Sequence, residues 1–213
     1  ASRQAAMEAL LVTTLGGLAM LVGMLMLGQQ AGTHRITEIL ADPPSGTATS
    51  VALVLVLVGA LSKSALVPFH FWLPGAMAAP TPVSAYLHAA SMVKAGVYLV
   101  ALLAPAFAGA TGWHETVLVL GITTMLLGGW RALRQYDVKL LLAYGTVSQL
   151  GFLLVVFSIG TRAAALAGVA MLLAHAVFKA TLFLVVGIVD HQTGTRDLRR
   201  LDGLHRPLRA TAV

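Results

Sequence analysis

The chain has 213 residues, 58% of them hydrophobic and 10% charged, with eight prolines, no cysteine and a formal net charge of +6. Roughly a quarter of an ordinary soluble domain is charged, so this balance excludes that class and describes a chain built for a bilayer. Without cysteine the chain forms no disulfide, thiolate zinc site or iron–sulfur ligation, and its basic residues, gathered in short loops, lack the exposed face interleaved with aromatics that nucleic acid requires.

Apolar runs of about 20 residues, enough to cross ~30 Å of hydrocarbon, predict an all-α membrane protein with six spans. The first covers 7–28 and leads into a polar loop with His34, Arg35, Glu38, Asp42, Pro43 and Pro44. The second, 48–67, carries Lys63 near its end and continues, broken, to 79 through FHFWLPGAM, which is too short and proline-rich for another crossing. Pro68 and Pro74 mark that break, because proline removes a helical donor. A third span covers 82–104 and is closed by Pro105; a fourth covers 115–133. The fifth, 137–160, opens on Asp137, an acid where the helix dipole favours one, and the sixth covers 163–189. The remainder, 190–213, is polar and basic, and the start ASRQAAMEALL has neither an initiator Met nor a cleavable-signal layout, so an excerpt of a longer protein is expected.

Loop charge predicts the orientation. Arg131, Arg134 and Lys139 lie between spans four and five, and Arg196, Arg199, Arg200, Arg206 and Arg209 follow span six. Two crossings separate these loops, which puts both on one side, and the positive-inside rule makes that side cytoplasmic. Trp72, Trp113 and Trp130 lie near predicted span ends, where interfacial aromatics anchor helices.

Three lysines, Lys63, Lys94 and Lys179, fall inside the spans. At roughly 2.5–3.5 kcal/mol each they cost about 8–10 kcal/mol together if unpartnered, and no acid lies deep in a span to answer them. His175 and Lys179 are four apart in MLLAHAVFKATLF and share a helix face. Two positive charges ~6 Å apart at an effective dielectric near ~20 repel by about 2.8 kcal/mol, so both are seldom charged together, the property a stepwise relay needs. The bland reading is a hydrogen-bonded His175 beside a snorkelling Lys179. His88 and Lys94, six apart, point about 120° away from each other on an unbroken helix and face different neighbours. His88 also reads as a satisfied core histidine, and Lys63, between Ser62 and Ser64, as part of a plain kink. Tyr144, Ser148 and Gln149 suit helix-to-helix hydrogen bonds, and the small residues of Gly16-Gly17, Gly128-Gly129 and AAALAGVA suit close helix approach. His34, His70, His114, His191 and His205 show no metal-ligand spacing, and no nucleotide fingerprint or nucleophile elbow is present, so no metal or cofactor is expected.

Three stretches carry a specific likeness: KSALVPFHFWLPGAMAAPTPVSAYLHAASMVKAGVYLVA, YDVKLLLAYGTVSQLGFL and HAVFKATLFLVVGIV. In them the chain resembles the antiporter-like proteins, which include the large membrane subunits of respiratory complex I and of the bacterial multisubunit sodium/proton antiporters. The FHFWLP and SAYLH…MVKAGVYLVA wording is typical of the large subunit of those antiporters, whereas the proton-pumping complex I counterpart usually has threonine where Lys94 stands. The resemblance implies a fourteen-helix core of two inverted five-helix repeats, each with a broken helix near the midplane, of which this chain matches about helices six to eleven. It implies that Lys63 is the broken-helix lysine, His88 and Lys94 the link between half-channels, Lys139 a further lysine at the cytoplasmic start of its helix, and His175 and Lys179 the second relay. Two departures stand out: Gly75 replaces an acid of the family motif, and Met171 occupies a position where some relatives have a further histidine. The expected role is proton translocation in a cation/proton antiporter subunit of the bacterial plasma membrane. Its expected partners are the other subunits, the lipid bilayer, protons and a monovalent cation such as sodium. A redox-driven pump subunit of complex I or a membrane-bound hydrogenase, and an inert structural subunit, are the alternatives, and the acidic partner of Lys63 is expected outside this chain.

Overall fold

The computed structural model describes residues 2–204. His205, Arg206 and Arg209 lie outside the described residues. Among the described residues nine α-helices carry the chain, and the one strand-like pairing is an isolated antiparallel bridge between Asp137 and Asp197. Four helical stretches are long and apolar enough to cross a membrane: Arg3–Ala31, Thr81–Leu103, Val138–Ser158 and Arg162–Thr193. The protein is an all-helical, multi-pass membrane protein.

Helix α1 (Ser2–Ala31) lies antiparallel against α3 (Thr47–Lys63), the register being set where Gly16 meets Ser62 and Gly23 meets Val56. The loop between them contains a short helix, α2 (Ile36–Ala41), that plugs Ile39 into the core. The 17 residues of α3 are as apolar as those of a spanning helix but stop at Lys63, short of the expected 67. Ala65 then adopts φ 51°, unusual for a residue with a Cβ, and fully buried packing holds it there. The backbone groups released at the break find new partners: the Trp72 indole donates to the Ser62 carbonyl at 2.9 Å, and Val67 N–H donates to Thr124 Oγ1 at 3.1 Å. Pro68 lies within the non-helical 64–71 stretch, and Pro74 within the short helix α4 (Trp72–Gly75), which a 3₁₀ turn extends through Ala78. Trp72 is thus no interfacial anchor. The re-entrant segment folds back into the bundle and buries its ring to 1% exposure. Trp113 is buried as well, while Trp130 is exposed with Arg134 stacked 4.5 Å over its ring.

The third apolar run is interrupted too. After α5 (Thr81–Val83) the backbone widens into a π-helix over Ser84–Ala90, and a turn at 91–93 precedes α6 (Lys94–Leu103). Ser91 and Met92 donate to carbonyls five residues back, Tyr86 at 3.1 Å and Leu87 at 3.0 Å, the bonding of a π-bulge, which frequently marks functional sites. His88 and Lys94 therefore do not share one regular helix, and the 120° reckoning does not apply to them.

Helices α7 (Trp113–Ala132) and α8 (Val138–Ser158) form the second antiparallel pair. A Cβ on Gly151 would lie 2.5 Å from Met125 N and 2.8 Å from the Gly121 carbonyl, so only glycine permits this approach. Ser148 cross-links the pair by donating to the Met125 carbonyl at 2.8 Å. Asp137 precedes α8 as its N-cap, accepting from Lys139 N–H at 2.8 Å and Leu140 N–H at 3.1 Å. Helix α9 (Arg162–Thr193), capped by Thr161, packs antiparallel on α8 and against the π segment. Helix α6 lies between α3 and α8, with Gly96 against the Ala60 carbonyl and Ser64 Oγ. The apolar core lies chiefly between α3, α6 and α8, and beside it the π segment meets α9 in a seam.

Candidate functional site

That seam holds the polar groups. His175 on α9 is fully buried at 0% exposure, and Lys94, Lys179 and His88 are buried at 5%, 6% and 7%. Lys94 opens α6 and donates from Nζ to the Ala89 carbonyl, one of those left by the π segment. Lys179 points at α8, its Nζ so close to Gly145 that a Cβ there would lie 3.0 Å away. One turn earlier, His175 rests edge-on against Phe178, ring centroids 5.2 Å apart, and neither ring nitrogen has a hydrogen-bond partner. The π segment, whose Ala89 carbonyl holds the Lys94 ammonium, packs against α9, so Lys94, His175 and Lys179 are buried on either side of that contact with no acid among them.

A second group continues from the first. His88 lies within the π segment, its ring edge-on to Trp72 at a centroid distance of 6.0 Å and its Nδ1 buried without a partner. Lys139, 2% exposed in the first turn of α8, donates from Nζ to the Ala79 carbonyl at 2.5 Å, joining the end of the re-entrant segment to α8. Its surroundings are polar: an open cleft of about 830 Å³ is lined by Ala79, Thr81, Asp137, Lys139, Asp190 and Arg196. Arg196 forms ion pairs with Asp137 at 3.4 Å and Asp190 at 4.0 Å.

Of the six residues expected on a proton path, the fold buries Lys94, His175 and Lys179 where the π segment packs on α9, His88 within the π segment and Lys139 at the start of α8. Lys63 stands apart. It closes α3, is half-buried and belongs to none of the ion pairs among the described residues. Sequence reading gave His88 and Lys94 different neighbours; in the structure Lys94 donates to the Ala89 carbonyl while the His88 ring lies against Trp72. Sequence reading missed Asp190 and Arg196 as companions of Lys139. The signal was present only as an acid at the end of the last span and an arginine six residues later. The loops on either side of that cleft share one end of the bundle: Val138 N–H donates to the Arg196 carbonyl at 3.0 Å and Leu198 N–H to the Tyr136 carbonyl at 2.8 Å.

Comparison with known proteins agrees with this architecture. A family model described as NADH:quinone oxidoreductase/Mrp antiporter, transmembrane, matches residues 1–213. The chain is 51% identical to the A/B subunit of a probable K(+)/H(+) antiporter of Rhizobium meliloti, over 100% of this chain and 22% of that protein. It is 46% identical to the A subunit of the Na(+)/H(+) antiporter of Alkalihalophilus pseudofirmus, over 95% of this chain and 27% of that protein. The chain thus spans about a quarter of the length of these relatives. Among solved structures, the Mrp complex from Dietzia sp. superposes with a TM-score of 0.92 at 46% identity, covering 98% of this chain and 24% of that one. The membrane-bound sulfane sulfur reductase, an archaeal respiratory membrane complex, gives a TM-score of 0.89 at 28% identity, covering 99% of this chain and 44% of that one.

Proposed function

We propose, for a chain that belongs to the NADH:quinone oxidoreductase/Mrp antiporter transmembrane family, that it is a proton-conducting part of a cation/proton antiporter subunit. One observation carries this reading: Lys94, His175 and Lys179 are buried where the π segment packs on α9, without an acid. Burying ionisable groups in a membrane interior is costly, and such groups mark ion and proton pathways. Like charges so placed disfavour simultaneous protonation, so one proton entering the cluster displaces another. The path runs from Lys179 and His175 to Lys94, then across the π segment through His88 to Lys139 and the polar cleft. Lys63 serves a branch whose acidic counterpart lies elsewhere in the parent protein. The reading includes export of sodium or a similar monovalent cation against protons, in company with the other subunits of an antiporter complex. It places the protein in the bacterial plasma membrane with 190–213 on the cytoplasmic side, supported by the basic loops that meet at one end of the bundle.

A second reading, a redox-driven proton pump subunit, has the likeness to the sulfane sulfur reductase in its favour. Lys94 favours the antiporter, since the resemblance to the pumping subunits leads to threonine there. Proton flux measured in vesicles containing the intact parent complex, with no electron donor, separates the two. Flux that depends on sodium or potassium supports antiport; its absence, with flux restored only by a donor, supports the pump.

A further inference from the structure

We propose that the segment 194–200 is a charged strap over the aqueous mouth of the proton path, with Arg196 as its clamp and Asp190 as a positioning carboxylate for Lys139; the proposal rests on the antiporter reading above. The chain does not leave the bundle after α9. Gly194, at φ 67°, turns it back while its N–H donates to the Asp190 carbonyl at 2.9 Å. Two backbone hydrogen bonds, Val138 N–H to Arg196 and Leu198 N–H to Tyr136, then pin the returning strand across the start of α8. Arg199 secures the far end by lying 4.5 Å over the Tyr136 ring, and within the strap it donates to Asp197 from Nε at 3.0 Å and Nη2 at 2.8 Å. Those hydrogen bonds hold the Asp197 carboxyl at about 2.

So anchored, the strap sets the Arg196 guanidinium between two carboxylates, 3.4 Å from Asp137 and 4.0 Å from Asp190. Exposed ion pairs of this kind contribute little to stability, and here they surround a lysine that is 2% exposed. The charged and titratable groups that line the cleft with Lys139 are Tyr136 and Asp137 before α8, Asp190 from α9, and Arg196, Asp197 and Arg199 from the strap, where Asp197 is taken up by Arg199. Arg196 therefore occupies the carboxylates that would otherwise hold the Lys139 ammonium. With the clamp closed, Lys139 is free to pass its proton from Nζ to water in the cleft. With it open, Asp137 and Asp190 retain the charged lysine and release slows.

Two substitutions in the full-length protein, assayed in its complex in inverted vesicles, test the charge balance. Arg196→Gln is expected to move the pH profile of cation-dependent proton flux to the alkaline side, and Asp190→Asn to the acid side. Each shift is about half a pH unit, the order one charge exerts at a half-exposed site. Arg196→Lys is expected to restore the original profile. Shifts in the same direction, or none, overturn the proposal. An arm independent of transport uses the absence of cysteine from this chain. Thr81→Cys, on the cleft wall, is expected to react with a membrane-impermeant maleimide about threefold faster when Arg196→Gln is added, the change expected on losing an exposed ion pair. Equal rates with and without the clamp overturn the strap as a cover. Absence of flux from the unsubstituted complex defeats the antiporter reading alone, and the labelling comparison still decides the strap.

Discussion

His175 separates a structural histidine from a working one. Its ring is fully buried within this chain, and neither nitrogen has a partner. Because the side chain has no exposed surface, a neighbouring subunit has no direct access to it. An unsatisfied buried polar group costs about 1–3 kcal/mol, so replacing the imidazole by an apolar side chain removes a penalty. His175→Leu gives up the edge-on contact with Phe178, worth about 0.5–1.5 kcal/mol. The expected net effect is neutral to about 2 kcal/mol stabilising, while proton flux falls by ~10²-fold or more, as removal of a group that carries protons does. Thermal unfolding of the detergent-solubilised parent subunit, together with vesicle flux, reads both quantities. A variant destabilised by ~2 kcal/mol or more that keeps its flux refutes the reasoning, since that is the behaviour of a satisfied core histidine.

Other substitutions probe the supports of the site. A Cβ on Gly96 would lie 2.8 Å from the Ala60 carbonyl carbon and 2.5 Å from Ser64 Oγ; Gly96→Val is therefore expected to push α6 off α3 at a cost of ~1–3 kcal/mol, seen as a lowered unfolding midpoint, and an unchanged midpoint contradicts the packing described. Asp137→Ala removes both cap hydrogen bonds of α8 and is expected to cost ~1 kcal/mol, with hydrogen exchange accelerating first at Lys139 and Leu140. The carboxyl of Asp197, held at about 2 against an ordinary value of 3.8 by the Arg199 hydrogen bonds, has a depressed folded-state value. Its stabilisation of the strap is present above ~4 and is lost as pH falls through about 2. Amide exchange at Leu198 should accelerate over that window in the native protein and show no such step in Asp197→Asn.

The apolar runs located the long helices because a spanning helix is defined by length and hydropathy, which are local properties. Lys94, His175 and Lys179 were legible for the same reason, being charges where a bilayer tolerates few. The irregular backbone was harder. SAYLHAASMV has the composition of an ordinary helix, and nothing local in it marks the π segment that packs against α9. Trp72 looked like an interfacial anchor because it follows a span, yet the re-entrant fold carries it inward to cap the broken end of α3. The hydrogen bond from Lys139 to the Ala79 carbonyl joins residues 60 apart in sequence, and Arg196 reaches Asp137 only because Gly194 reverses the chain. Such pairings are set by tertiary packing, which no window of sequence contains.

The central claim is that Lys94 and Lys179, with His175 beside them, act as one relay rather than as separate buried charges. A double-mutant cycle on cation-dependent proton flux in the intact complex, using Lys94→Ala, Lys179→Ala and the pair, tests it most directly. Members of one relay should be grossly non-additive, with the double variant no worse than the more damaging single one. Losses that multiply across the two sites would contradict the account.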